Sequence, residues 1–183
     1  MIQLPLTTER LELRALTMSD LDDHHRLFGD ASVVRYLYEG QLPREKAVPH
    51  LATRVNPRPP GEGKWLNLAV THDGHYLGEV GACLHSAEHR QCEVGYVFLP
   101  EARGHGFATE AAAAMVALCF ESLGAHRVTA RLDARNMASA AVAQRLGMRH
   151  EAHLRENEWV KGEWTDEAIY AITEEEWRRS HTP

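Results

Sequence analysis

Residues 10–16, Arg-Leu-Glu-Leu-Arg-Ala-Leu, alternate polar and apolar side chains, which predicts a strand with one buried face. Ser19 then suits a helix cap: Asp20, Asp22 and Asp23 crowd the first turn, and Leu21, His25 and Phe28 fall near one side. Asp30 opens a short helical turn with Val33, Val34 and Leu37, and Pro43 suits the first position of another helix that turns Ala47, Leu51 and Val55 inward. Pro49 is expected to break or kink that helix, because it has no N–H to donate. Residues 56–63, Asn-Pro-Arg-Pro-Pro-Gly-Glu-Gly, are too short for an interdomain linker and read as a surface loop. Beyond them, strand-like runs at 64–71 and 75–84 meet through Asp73-Gly74, a strong hairpin signal.

A buried strand at 94–99 stops at Pro100, a glycine-rich turn follows, and an alanine-rich helix at 108–123 ends at Gly124. Residues 126–133 predict a further strand, after which Asn136 caps a helix bearing Ala140, Ala143 and Leu146, ended by Gly147. Two more strands are expected at 148–154 and 159–172, the second interrupted at Lys161-Gly162 and Thr165-Asp166. Thr173 and Glu176 have capping-box spacing for a last helix carrying Trp177. Helices interspersed with hairpin-linked strands predict a mixed sheet covered on both faces, an α/β or α+β class, and 183 residues suit one domain over 1–183.

Composition narrows the function classes. The formal charge of −6, from 26 acidic and 20 basic residues, offers no basic footprint for nucleic acid, while a cationic or amine substrate is compatible with it. Cys83, Cys92 and Cys119 sit among apolar neighbours, too far apart for a Cys-x-x-Cys metal pair, and read as buried inert thiols. The start of the chain lacks the apolar segment of a signal peptide, and no run approaches the roughly 18 to 20 apolar residues of a membrane span. A cytoplasmic location is therefore expected.

The turn Arg103-Gly104-His105-Gly106, between a strand and a helix, leaves backbone N–H groups pointing outward at the positive end of a helix dipole, a place suited to phosphate. A plain tight turn would also use these glycines. A Walker loop is absent, and a dinucleotide fingerprint fits poorly, because Thr109 stands where its third small residue belongs.

The run Arg103-Gly-His-Gly106-Phe-Ala108 resembles the Arg/Gln-x-x-Gly-x-Gly/Ala motif of the GNAT superfamily of acetyl-CoA-dependent N-acetyltransferases, in that family's strand-to-helix context. Asn136-Met-Ala-Ser139, on a helix ending in Gly147-Met148, resembles a second family motif. With residues 7–14, Thr-Glu-Arg-Leu-Glu-Leu-Arg among them, the chain looks most like the RimJ and RimL branch, which acetylates ribosomal-protein N-termini. The resemblance implies a GNAT fold, with a central, mixed, mostly antiparallel twisted sheet of six to seven strands. It implies acetyl-CoA as co-substrate and no metal. Its pyrophosphate would lie on Arg103, Gly104, His105, Gly106, Phe107, Ala108 and Thr109. The pantetheine arm would lie on the free backbone of Tyr96, Val97, Phe98 and Leu99, with Asn136 and Ser139 beside it, and the N–H of Phe98 would polarise the acetyl carbonyl.

Acetyl transfer needs a neutral amine, and Glu93, at the head of the central strand, is the first candidate base, with Glu79 on the preceding strand the second. His85 and His105 are weaker candidates, the latter suited to pairing with phosphate. Family members with a tyrosine acid place it where this chain has Ala143, so Ser139 takes that role by resemblance. Trp159 and Trp164 would line an acceptor pocket with the first helices and the 56–63 loop, or else sit in the core, and Asp20, Asp22 and Asp23 would attract a cation or simply favour their helix end. The acceptor is a protein N-terminal amine, or alternatively an antibiotic, amino acid or polyamine. A noncatalytic acyl-CoA sensor is the reading from another class, and a homodimer is an open expectation.

Overall fold

In the computed structural model, residues 2–55 and 62–181 are described. Strands β1 (Leu6–Thr7), β2 (Glu12–Ala15), β3 (Trp65–His72), β4 (His75–Ser86), β5 (Gln91–Phe98), β6 (Arg127–Asp133), β7 (Arg149–Val160) and β8 (Glu163–Thr173) form one sheet in the order β1-β2-β3-β4-β5-β6-β8-β7. That is a mixed α/β GNAT-type sheet with eight strands, one more than the upper expectation, since a two-residue strand adds an edge. Every pair is antiparallel except β5 with β6.

Strand periodicity of two assigns the faces. On one face Leu66, Leu68, Val80, Ala82, Val94, Val128, Ala130 and Ile172 pack with Ala111, Met115 and Cys119 of helix α4 (Phe107–Glu121). The alanines of α4 bring its backbone close to the sheet, and α5 (Met137–Arg145) packs beside it, its Ala140 and Ala143 in the same core. On the other face α1 (Leu21–Gly29), α2 (Ala31–Val34) and α3 (Arg44–Ala52) bury Leu27, Phe28, Val34 and Leu51 against Ala69, Tyr76 and Leu99. The last helix, α6 (Glu174–His181), begins with the expected Thr173–Glu176 box, and its Trp177 stacks on Phe120.

Four local expectations are corrected. The first helix is entered through a 3-10 turn, Met18–Asp20, capped by Thr17 rather than Ser19: the Asp20 carboxylate accepts from the Thr17 N–H at 2.8 Å. Helix α3 runs through Pro49, with Pro43 as its cap; Ala47 and Leu51, both fully buried, hold it on the core despite the missing donor. The final hairpin turns at Lys161-Gly162, whose φ values of 52° and 89° suit a two-residue turn, so Trp159 belongs to β7. β8 runs unbroken through Thr165-Asp166, and the irregularities lie in β7, between His150 and Ala152 and between Leu154 and Glu158. The Asp73-Gly74 hairpin joins β3 to β4 as expected, with φ of 49° and 77°.

Candidate active site

β5 leads through a 3-10 turn, Pro100–Ala102, to Gly104 and Gly106, which adopt φ of 80° and 79°. A Cβ at Gly104 would meet nothing within 4 Å, so the left-handed backbone alone calls for glycine there. No side chain caps α4, and its first intrahelical bond is Glu110 N–H to the Gly106 carbonyl at 3.0 Å. The N–H groups of Phe107, Ala108 and Thr109 thus precede the helix ladder at its positive end, which fits a pyrophosphate. Arg10 braces the turn from behind. Its Nη1 donates to the His105 carbonyl at 3.0 Å, its Nη2 lies 2.6 Å from Glu110, and its guanidinium covers the Phe107 ring at 4.8 Å. His105 stacks on Phe107, while exposed Arg103 reaches the Ser32 carbonyl at 3.4 Å.

β5 and β6 pair only at Gln91↔Arg127, Cys92↔Val128 and Glu93↔Thr129. Beyond Glu93 they part, and a cavity of about 1070 Å³ opens between 94–97 and 130–133. Tyr96 and Val97 line it. Phe98 packs against the core, and both backbone groups of Leu99 are engaged, its N–H with Leu77 at 2.9 Å and its carbonyl with Ala102 at 3.0 Å. The strand edge free for a pantetheine arm is therefore shorter than 96–99.

On the α5 side, Asn136 caps its helix by accepting from the Ser139 N–H at 3.1 Å. The Ser139 hydroxyl donates to Tyr96 Oη at 3.0 Å, and Tyr96 donates to the Ser139 carbonyl at 2.9 Å. Burial pushes the Tyr96 phenol above its ordinary range, so it stays protonated. A phenol from β5 thus meets Ser139, where sequence spacing gave no reason to look for one.

The opposite sheet face carries the carboxylates. Pairing sets Trp65, Cys83 and Glu93 in one row, Gly81 and Gly95 in the next row that includes Asn67, and Glu79 opposite Val97 in the third. Four strand residues separate Glu93 from the row of Glu79, about 13 Å, so the two candidate bases serve different places. Burial raises the pKa of Glu93, with Arg131 and His85 pulling it back down. Glu79, 3% exposed, is tied into the α1–α3 side: His24 Nδ1 lies 2.5 Å and the Tyr76 hydroxyl 2.9 Å from its Oε1. His24 Nε2 is 2.7 Å from His50 Nδ1, and Arg54 approaches Glu79 Oε2 at 3.8 Å. Arg131 and Glu167 form a bidentate pair at 2.9 and 2.7 Å, and Tyr38, pushed up to about 12 by burial and by Glu167, hydrogen-bonds the same carboxylate.

Aromatic residues lining the cavity include Phe28, Tyr36, Tyr38, Tyr96 and Trp65, the last of which the sequence pattern placed only as a strand residue. Trp159 and Trp164 instead meet edge to face at the tip of the β7–β8 hairpin, 61% and 57% exposed, outside the cavity lining. Asp20, Asp22 and Asp23 pair with Arg14, Arg44 and Arg26 and do not line it either. Of the proposed 56–63 loop, 56–61 fall outside the described residues, and Gly63 lines the cavity. Seven carboxylates line the cavity against the three cations of Lys64, Arg54 and Arg131, an excess that favours a positively charged ligand. No helix among the described residues is long and apolar enough to cross a membrane, and none of their His, Cys, Asp and Glu side chains form a metal-binding group.

The acetyltransferase (GNAT) domain model matches residues 10–149. An uncharacterized N-acetyltransferase of Bacillus subtilis (strain 168), YnaD, is 30% identical, over 94% of this chain and 98% of its own. The spermidine N(1)-acetyltransferase of Escherichia coli (strain K12) is 26% identical, over 93% and 90%. A GNAT-family acetyltransferase from Bacillus anthracis, known from its crystal structure, superposes with a TM-score of 0.83 at 29% identity, covering 93% of this chain and 98% of that one. A left-handed glycine turn at an uncapped helix start, a parted strand pair and relatives aligned along nearly the whole length lead to one conclusion: the chain belongs to the GNAT family of acetyl-CoA-dependent N-acetyltransferases.

Proposed function

We propose that the acceptor is a small cationic primary amine, acetylated by direct attack in a ternary complex with no covalent enzyme intermediate. The observation that carries this reading is the cavity itself, which runs between β5 and β6 and ends on an acidic sheet face. Acetyl-CoA supplies the acetyl group as a thioester and leaves as the thiol. Arg103 and the backbone of 104–109 hold the pyrophosphate, and the free edge of β5 at Tyr96, Val97 and the N–H of Phe98 takes the pantetheine arm and the acetyl oxygen. Glu93 takes a proton from the ammonium, directly or through a water, and burial, which raises its pKa, makes it a stronger base than an exposed glutamate. Glu79, held in a buried network, shapes the site rather than accepting that proton. Ser139, whose hydroxyl donates to Tyr96 Oη, is the acid by resemblance and turns that proton to the departing sulfur, and Asn136 flanks the arm.

The protein N-terminus remains the rival acceptor, carried by the resemblance to the RimJ and RimL branch. The spermidine-acetylating relative and the acidic lining both favour the small amine. This reading includes a cytoplasmic enzyme of one domain, and leaves a homodimer to light scattering. Purified protein with acetyl-CoA and a panel of alkyl amines, amino acids and peptides, followed by thiol release and mass spectrometry, tests it. Transfer to small alkyl amines is expected; transfer to peptide N-termini alone overturns it, and coenzyme A binding with no acceptor ever releasing thiol would restore the sensor.

A further inference from the structure

Trp65 opens β3 with its side chain on the acidic face, yet its indole is not part of the core: the residue is 43% exposed and lines the cavity. One face of the ring lies on Gly81 of β4 and Gly95 of β5. A Cβ on Gly81 would stand 3.1 Å from Trp65 Cε3, and one on Gly95 would stand 3.3 Å from Cη2 and Cζ3. Neither glycine has a positive φ, so backbone conformation does not explain them. Their use is space: a Cβ on Gly81 would also stand 2.9 Å from the Leu66 carbonyl and 3.0 Å from Asn67 Oδ1, and the indole lies in the recess that the two glycines leave. The other face of the ring is left toward the cavity.

The register places this platform beside the proposed base. Trp65 pairs with Cys83, and Cys83 pairs with Glu93, so the indole springs from the row of Glu93 and reaches over the glycine row next to it. Glu93 and Gly95 are two strand residues apart, about 6.7 Å, a distance that about three to four methylenes span. An aromatic face turned to a cavity with an excess of carboxylates attracts an alkylammonium and the methylenes next to it.

We infer that Trp65 selects the acceptor: the preferred substrate is a linear aliphatic diamine or polyamine, one amine at Glu93 and the next ammonium over the indole. This rests on the proposed acetylation of small cationic amines and specifies which of them the site takes. Trp65 is a specificity residue that touches the acceptor away from the reacting nitrogen. The recess formed by Gly81 and Gly95 holds its ring flat.

The test compares 1,4-diaminobutane with n-butylamine, which has the same stem but no second ammonium. The wild-type enzyme is expected to prefer the diamine in kcat/KM by about tenfold or more. Trp65→Ala should erase most of that ratio, chiefly through KM for the diamine, while Trp65→Phe keeps a substantial part of it. Gly95→Ala, which lifts the ring, should lower the ratio as well. Calorimetric binding of coenzyme A reports whether each variant is folded, and if Trp65→Ala fails that check the Phe and Gly95 variants decide. Equal use of both amines by the wild type, or an unchanged ratio in the variants, overturns the assignment. Good activity on n-butylamine without a diamine preference would sink only Trp65's role, whereas activity on neither amine, with peptides acetylated, would sink the small-amine reading too.

Discussion

At the proposed donor site, outside the cavity lining, the binding groups come from one contiguous run, 103–109, and are mostly backbone N–H groups held by two left-handed glycines. At the acceptor end they are side chains from five strands: Trp65 on β3, Glu79 on β4, Glu93 on β5, Arg131 on β6 and Glu167 on β8. A backbone site depends on local conformation, so a few residues specify it. A side-chain wall depends on pairing between strands, and each member can change without disturbing its neighbours in the chain. The donor end suits one shared ligand and the acceptor end suits variation.

The sharpest way to break this contrast is at the glycine turn. Gly106→Val combined with Arg103→Ala puts a β-branched residue at φ 79° and removes a cation, and calorimetry should show coenzyme A affinity reduced by about a hundredfold or more. Unchanged binding would mean that the backbone cradle is not the cofactor site. Next in size, Glu93→Gln should lower kcat/KM by about 10² to 10³ with cofactor affinity retained. Because the proposed base is the Glu93 carboxylate and its pKa is raised by burial, wild-type activity should rise with pH through a value above the ordinary range for glutamate. The variant should lack that limb; an identical profile in both would assign the base elsewhere.

The two carboxylates also differ in what they do for stability. Glu79→Gln replaces a charge whose Oε1 faces His24 and Tyr76, and should cost about 1–3 kcal/mol, read as a lower Tm. Glu93→Gln should leave Tm unchanged or raise it. A folded pKa above the unfolded one stabilises below the unfolded value and is lost as pH rises through the folded value, so ionised Glu93 opposes folding at neutral pH. The same loss of Tm in both variants would erase the distinction between a shaping and a reacting carboxylate. Smallest of all, Tyr96→Phe should reduce kcat by about tenfold or less, since Ser139 keeps its hydroxyl and loses only its partner. A cofactor-binding defect instead would make Tyr96 a structural tie between β5 and α5.

Legibility follows the same division. Gly104, Gly106 and Asn136 could be read from the chain because each answers a local backbone demand, and the hairpin at Asp73-Gly74 for the same reason. Arg10, which braces the turn from 95 residues away, gave no local sign. Trp65 looked like any aromatic at a strand start; only the pairing of β3 with β4 and β5 shows that two glycines lie under it. Trp159 and Trp164 misled in the opposite direction, because a turn at Lys161-Gly162 carries them to the hairpin tip. The Tyr96–Ser139 pair spans 43 residues and required the approach of α5 to β5.

The short pairing of β5 with β6 has a mechanical consequence. Three residue pairs form the seam between a plate of β1 to β5 and a plate of β6, β8 and β7, with α4 packed across both. A molecule seated in the open part of that seam touches both plates and works as a clasp. Binding the folded chain and not the unfolded one, it adds stability by mass action, about 2.7 kcal/mol at a hundred times its Kd. Seated there as proposed, the co-substrate is one of the fasteners of the sheet, and resistance to heat should rise with its concentration.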